Sequence, residues 1–213
     1  YLPAHRQVVA VPQAYRSASD VVLVGLDDNE TTVDLATLTD VEIARGSVVT
    51  DNAGTRQATV MFLPGTTAAL EFPDGTEQPI STLTIRATEY SVGPDGPARM
   101  PAELPPTSGY TYCVELSADE AIADGATTVR FSQPVPFFVE NYLALPVGTI
   151  VPVGTYDRER ALWVPQRDGT IIAVLDTSSG AAAVDIDGDG IEDDEATLDA
   201  IGLHLEVREA IAG

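Results

Sequence analysis

An all-β fold is expected from this sequence, and three observations carry the expectation. Apolar runs rich in Val, Ile and aromatic residues recur along the chain, most of them about four to seven residues long. Clusters of Gly, Pro, Asp and Asn bound these runs at spacings of roughly 8–12 residues, the rhythm of a β-sandwich. The stretch 131–172 concentrates both features: it holds the only Trp and carries the tripeptide PVG at 146–148 and again at 152–154. The expected architecture is a β-sandwich with a small β-hairpin subdomain and a short C-terminal helical tail.

Taken in order, residues 6–11 (RQVVAV) and 20–26 (DVVLVGL) read as two strands around a polar turn. Two strands cannot stand alone, so residues 1–28 are expected to be the end of a truncated β-module. Residues 29–145 read as the sandwich. Within them Asp51-Asn52-Ala53-Gly54 and Pro73-Asp74-Gly75 are hairpin turns. The run 81–90 (STLTIRATEY) alternates, with Leu83, Ile85 and Ala87 on one face. The Pro/Gly-rich stretch 92–107 is expected to be a loop, because repeated Pro opposes both helix and central strand. Cys113 lies among alternating residues and reads as an inert small hydrophobe. Ser117 followed by Glu120 resembles a capped helical turn. Residues 146–213 read as a hairpin region, an acidic loop at 185–195 and helical composition at 196–202 and 205–212.

Charge narrows the function classes. Thirty-three acids face eleven bases, all arginine, for a net charge of −22. Phosphate binding needs clustered Lys and Arg, so nucleic acid is not an expected partner. An anionic membrane surface is disfavoured on the same ground, and no run approaches the ~20 apolar residues of a membrane span. Such a balance suits a solvated surface, a high-salt habitat or the binding of cations. One cysteine excludes an intrachain disulfide. The chain opens and closes mid-pattern, so a piece of a longer polypeptide is expected.

Five segments, RATEYSVGPDGP, MPAELPPTSGYTY, FSQPVPFFVENYL, PVGTIVPVGTYDRERALWVP and VDIDGDG, resemble a domain of giant bacterial RHS (YD-repeat) proteins, which are similar in architecture to teneurins. The segments lie within residues 86–190, and the resemblance as a whole spans about residues 43–190. Residues 1–26 are similar to the tail of a transthyretin-like, carboxypeptidase-regulatory module. The resemblance implies a non-catalytic β-region upstream of a YD-repeat shell, in a large secreted or surface-anchored bacterial protein. Neighbouring domains of the same polypeptide would be its partners. It implies no catalytic residues.

The acidic loop is the strongest chemical signal. Asp185-Ile186-Asp187-Gly188-Asp189-Gly190-Ile191 matches the first half of an EF-hand-type calcium loop. Carboxylates at positions one, three and five converge because the glycine at six permits a sharp turn, and Ile191 at seven offers its carbonyl. Position twelve is Ala196 rather than the usual bidentate Glu, so Asp193, Asp194 or Glu195 must complete the shell. The expected cofactor is Ca²⁺, since hard oxygen donors suit it. The alternative is a solvated acidic turn that caps a helix.

Other candidates are weaker. His5 and His204 fall in no ligand motif, and Ser132 and Ser108 have no evident base nearby. Arg130-Phe131-Ser132 resembles the Phe–Ser bond of self-cleaving ZU5-type domains, but Arg130 stands where such sites place histidine. Asp157 and Glu159 alternate with Arg158 and Arg160, the pattern of a salt-bridged hairpin tip. Trp163 and Tyr156 could stack on a sugar, or Trp163 could be a core residue. The function expected is a calcium-stabilised structural or adaptor domain, not an enzyme. The alternatives are an adhesin-like module for a glycan or protein ligand, and self-cleavage near Phe131.

Overall fold

The computed structural model describes the backbone of every residue except 7, 10 and 105–108. It is built mostly of short antiparallel strands, with few helices. Three three-stranded sheets form the main body. In the first, β8 (Thr82–Glu89) lies between β1 (Thr31–Asp34) and β9 (Val114–Ala118). In the second, β5 (Ala58–Phe62) lies between β2 (Glu42–Arg45) and β11 (Phe137–Val139). In the third, β6 (Ala68–Glu71) lies between β7 (Glu77–Ile80) and β10 (Thr128–Phe131). The remaining strands pair two by two: β3 (Val49–Asp51) with β4 (Gly54–Arg56), β12 (Ile150–Val151) with β15 (Gly169–Thr170), β13 (Gly154–Asp157) with β14 (Leu162–Pro165), and β16 (Ala173–Asp176) with β17 (Ala183–Asp185). The helices are α1 (Gly96–Arg99), α2 (Asp119–Asp124), α3 (Glu195–Ala200) and α4 (Leu205–Ala212).

The core sits where the three larger sheets meet. Val33, Val60, Phe62, Leu70, Leu83 and Ile85 form its centre. The alternating run in β8 behaves as its pattern requires, with Leu83, Ile85 and Ala87 buried. Strand β5 does not alternate, and the packing gives the reason. Val60 and Phe62 enter the central cluster, while Met61 points the other way. Met61 meets Val184 of β17, Leu198 of α3 and Leu203 and Val207 beyond it. A strand covered on both faces reads as a continuous apolar run. The C-terminal hairpin and helices therefore rest on the back of a sandwich strand.

Three expectations are corrected. No described residue before Thr31 is in a strand. Leu2, His5, Val22 and Val24 make single backbone bonds instead of a ladder. Leu2 N donates to Val24 O (2.8 Å), Val22 N to Ala98 O (3.0 Å) and His5 N to Pro101 O (2.7 Å). Arg6 gathers the carbonyls of Ala98, Met100 and Asp20. Leu2 and Val24 close a third, small cluster with Tyr90 and Met100. Apolar content marked the runs at 6–11 and 20–26 as strands, but no strand among the described residues pairs with them.

The second correction lies in the stretch 92–107, which holds one helical turn, α1. Proline falls in the first turn of this helix, where its missing N–H costs nothing. Residues 105–107 of that stretch lie outside the described residues, as does Ser108. The third concerns α2, whose N-cap is Ala118 rather than Ser117, with no side-chain cap. Ser117 still belongs to β9. Glu120 reaches across to Thr84, accepting from its N (2.8 Å) and Oγ1 (2.9 Å), instead of back to the serine.

Cys113 packs half-buried against the third cluster. Burial pushes its thiol up to about 12, which leaves little thiolate near neutrality. The thiolate is the reactive form. Native protein at pH 8 is expected to react with Ellman's reagent at least ~100-fold more slowly than denaturant-unfolded protein. Equal rates in the two states would refute the inert assignment.

Candidate metal centre

Strand β17 delivers Asp185 to the end of the C-terminal hairpin, where it is only 3% exposed. The chain then has to double back within a few residues. Gly188 and Gly190 adopt positive φ of 87° and 80°, which residues with a Cβ adopt only under strain. The turn wraps its backbone amides around the buried carboxylate. Asp185 Oδ1 accepts from Gly188 N (2.6 Å) and Asp187 N (3.1 Å), and Oδ2 accepts from Gly190 N (2.9 Å). These bonds, the one from Gly188 first, hold the Asp185 carboxyl below its usual range. It is therefore ionised at neutral pH although buried.

The other acids separate into distinct roles. Asp187 Oδ1 accepts from Asp189 N (3.0 Å), and Asp189 Oδ1 from Ile191 N (2.7 Å). Asp193 returns the chain to the hairpin. Its N donates to Val184 O (2.9 Å), and its Oδ2 accepts from Ile186 N (2.7 Å). Asp194 is the N-cap of α3, accepting from Thr197 N at 2.9 Å. Glu195 opens that helix and is exposed.

Three acids converge: Asp185, Asp187 and Asp193 each offer a carboxylate oxygen, all within 4.8 Å of one another. Oxygens on a common ion at about 2.4 Å lie no farther apart than about 4.8 Å. The cluster can hold a metal ion. Asp189, Asp194 and Glu195 stand outside this group. The Ile191 side chain faces solvent at 67% exposure. The loop therefore divides between a cluster that can hold a metal ion and a helix cap. Asp185 and Asp187 belong to the former and Asp194 to the latter.

One contact around the loop was not expected from the sequence. The first PVG turn packs its backbone against the loop backbone. A Cβ on Gly148 would meet Asp187 O at 3.1 Å, and a Cβ on Gly188 would meet Val147 O at 3.1 Å. Gly148 also has a positive φ, 81°. The repeated PVG was the available signal, but nothing in it names the acidic loop as its neighbour. Across the loop, Arg208 Nη1 of α4 lies 3.8 Å from Glu192.

The weaker candidates fall elsewhere. Ser132 Oγ accepts from Thr67 N (2.9 Å), and Arg130 pairs with Glu71 (2.6 Å) and Glu77 (3.3 Å). His5 Nδ1 contacts Tyr156 Oη at 3.2 Å, and His204 Nδ1 contacts Asp199 at 2.9 Å. Trp163 is half-buried. Its Nε1 donates to Glu103 O (3.1 Å), and its ring centroid lies 5.3 Å from that of Tyr156. At the hairpin tip Asp157 accepts from Arg160 N, while Arg158 leaves the tip to pair with Glu115 at 2.8 Å.

No known protein family, curated protein or solved structure matches this chain.

Proposed function

We propose that this chain is a non-catalytic structural β-domain whose C-terminal loop binds Ca²⁺. The observation that carries the reading is the convergence of the Asp185, Asp187 and Asp193 carboxylates within 4.8 Å. All three donors are hard oxygens, which favours Ca²⁺ or Mg²⁺ over softer metals. Mg²⁺ demands near-ideal octahedral geometry and usually keeps to one or two carboxylates, so three carboxylates with loop carbonyls at hand favour the more permissive Ca²⁺. The Ile191 carbonyl, Asp189 and water are available to fill the remaining positions.

The loop links β17 to α3, and both elements contribute to one apolar cluster. A divalent cation there would offset two of the three neighbouring carboxylate charges and pin the helical tail to the sandwich. The resemblance to RHS-type β-regions supplies the setting: a large secreted or surface-located bacterial protein, with neighbouring domains of the same polypeptide as partners. Ser132, bonded to Thr67 with Arg130 occupied by Glu71 and Glu77, supports a structural role over self-cleavage.

Calorimetric titration tests the site. One Ca²⁺ is expected to bind with a Kd on the order of 10⁻⁵–10⁻³ M, because no bidentate Glu follows at position twelve. At free Ca²⁺ about 100 times Kd the folded state should gain roughly 2.7 kcal/mol. Asp187→Ala should remove both the binding heat and the shift in Tm. Identical melting of the wild-type protein in excess Ca²⁺ and in chelator would show that the loop is only a capped turn.

A further inference from the structure

The strongest unassigned surface is a groove between the sandwich and the C-terminal helices. It encloses about 500 Å³ between Leu63 and Pro64 on one side and His204, Leu205 and Glu206 on the other. Past Pro64 and Glu206 it continues into a hollow of about 270 Å³ beside Val41, Glu209 and Ala210. Apolar side chains (Val41, Leu63, Pro64, Leu205) share its lining with the acids Glu195, Glu206 and Glu209. Glu195, Glu206 and Glu209 make no ion pair among the described residues, whereas Glu71, Glu89, Glu115 and Asp119 are each paired with an arginine. Apolar side chains interspersed with uncompensated carboxylates fit a segment that is both apolar and basic.

The same chain carries such a segment. No acid precedes Asp20, while Arg6 and Arg16 bracket the sequence QVVAVPQAY. Val8, Val9, Val11 and Tyr15 are all exposed, Val9 at 78% and Tyr15 fully. Arg16 makes no ion pair among the described residues. Four neighbouring large apolar side chains left in water mark an interaction surface. In a protein of net charge −22, this is the stretch least repelled by the groove.

We propose that residues 8–16 of one copy dock in the groove between Pro64 and α4 of a second copy. The valines and Tyr15 lie on Leu63, Pro64 and Leu205, and Arg16 faces Glu206 and Glu209. Segment and groove are different surfaces, so the contact is head-to-tail. Such contacts extend with concentration unless their rotation closes a ring.

The test uses the full chain and a labelled peptide of residues 8–16. Fluorescence anisotropy should show saturable binding of the peptide to the wild-type protein. Glu206→Gln with Glu209→Gln should weaken it at least ~5-fold, and about 0.5 M NaCl should weaken it comparably. Sedimentation equilibrium of the wild-type chain should show a mean mass that rises with concentration. The Tyr15→Ser, Arg16→Glu double variant should stay monomeric with unchanged Tm. A wild-type chain that is monomeric at every concentration would overturn the proposal, as would a peptide that binds wild type and the glutamine variant equally. A scrambled peptide that binds as well as the native one would do the same, since it would reduce the groove to a non-specific cation surface.

Discussion

Replacing Arg56 with methionine is expected to destabilise the protein by about 3–5 kcal/mol, the cost of leaving buried charge uncompensated. Arg56 ends β4 and is 1% exposed. Its two terminal nitrogens engage both Asp51 oxygens at 2.9 Å, and its Nε donates to Glu89 at 2.7 Å. Nη2 also donates to Ser91 O (3.1 Å), and the guanidinium lies 4.5 Å from the Tyr142 ring centroid. Methionine would fill much of the volume and leave Asp51 and Glu89 facing each other without a cation. Adding Asp51→Asn and Glu89→Gln should recover a large part of the loss, because it removes the stranded charges. Urea unfolding gives the values, and a single-variant loss under about 1 kcal/mol would contradict the account.

The same cluster sets a pH dependence. The hydrogen bonds from Arg56 hold the Asp51 carboxyl well below the usual carboxylate range. The unfolded chain, with an ordinary value near 3.9, therefore takes up this proton first as pH falls. The stabilisation is full above about pH 4–5 and declines as acid drives the native group toward its own lower value. Stability measured between about pH 6 and pH 3 should fall less steeply in Arg56→Met than in the wild-type chain. Parallel slopes would locate the acid sensitivity elsewhere.

Leu198→Ala is expected to cost about 2–5 kcal/mol. Leu198 is fully buried on α3 and packs with Met61, Val184, Leu203 and Val207. A cavity there separates the helical tail from the back of β5. Leu205→Ala, on the exposed side of α4, should change stability by less than about 0.5 kcal/mol. The contrast between two leucines seven residues apart isolates burial from helix propensity. Similar losses for both would mean that the tail is held by something other than this cluster.

Local features were legible in the sequence. The hairpin turns at 51–54 and 73–75 and the alternating β8 depend on near neighbours, and each stands where its spacing placed it. Of the three acids that the D-x-D-G-D-G-I spacing brings together, Asp185 and Asp187 meet and Asp189 does not. The double burial of β5 was not legible, because its second cover comes from β17, α3 and α4 far along the chain. Nothing in the sequence singled out Arg56. Its meaning depends on Glu89 and Tyr142, which tertiary packing alone brings to it. The first 28 residues misled in the opposite sense. Val-rich composition is shared by strands and by extended segments that dock through single bonds, and only the missing partner tells them apart. Within the acidic loop, charge and spacing named the acids but could not rank them. Asp193 joins Asp185 and Asp187 because its amide is tied to Val184 O, whereas Asp194 is one residue further on and turns to the helix.

The back-to-back approach of Gly148 and Gly188 bears on how freely this region of the chain can vary. Gly188 answers to two masters. The loop requires its left-handed backbone, and the PVG turn requires its bare Cα. A substitution that solved one problem would leave the other. Gly148 carries the mirror obligation toward Asp187 O. Because the obstacle on each side is a carbonyl rather than a side chain, no compensating exchange of residues at the facing position can make room. Two stretches that lie far apart in the gene are thus written as one unit. Whatever the acidic loop becomes by mutation, the turn at 146–148 has to become with it.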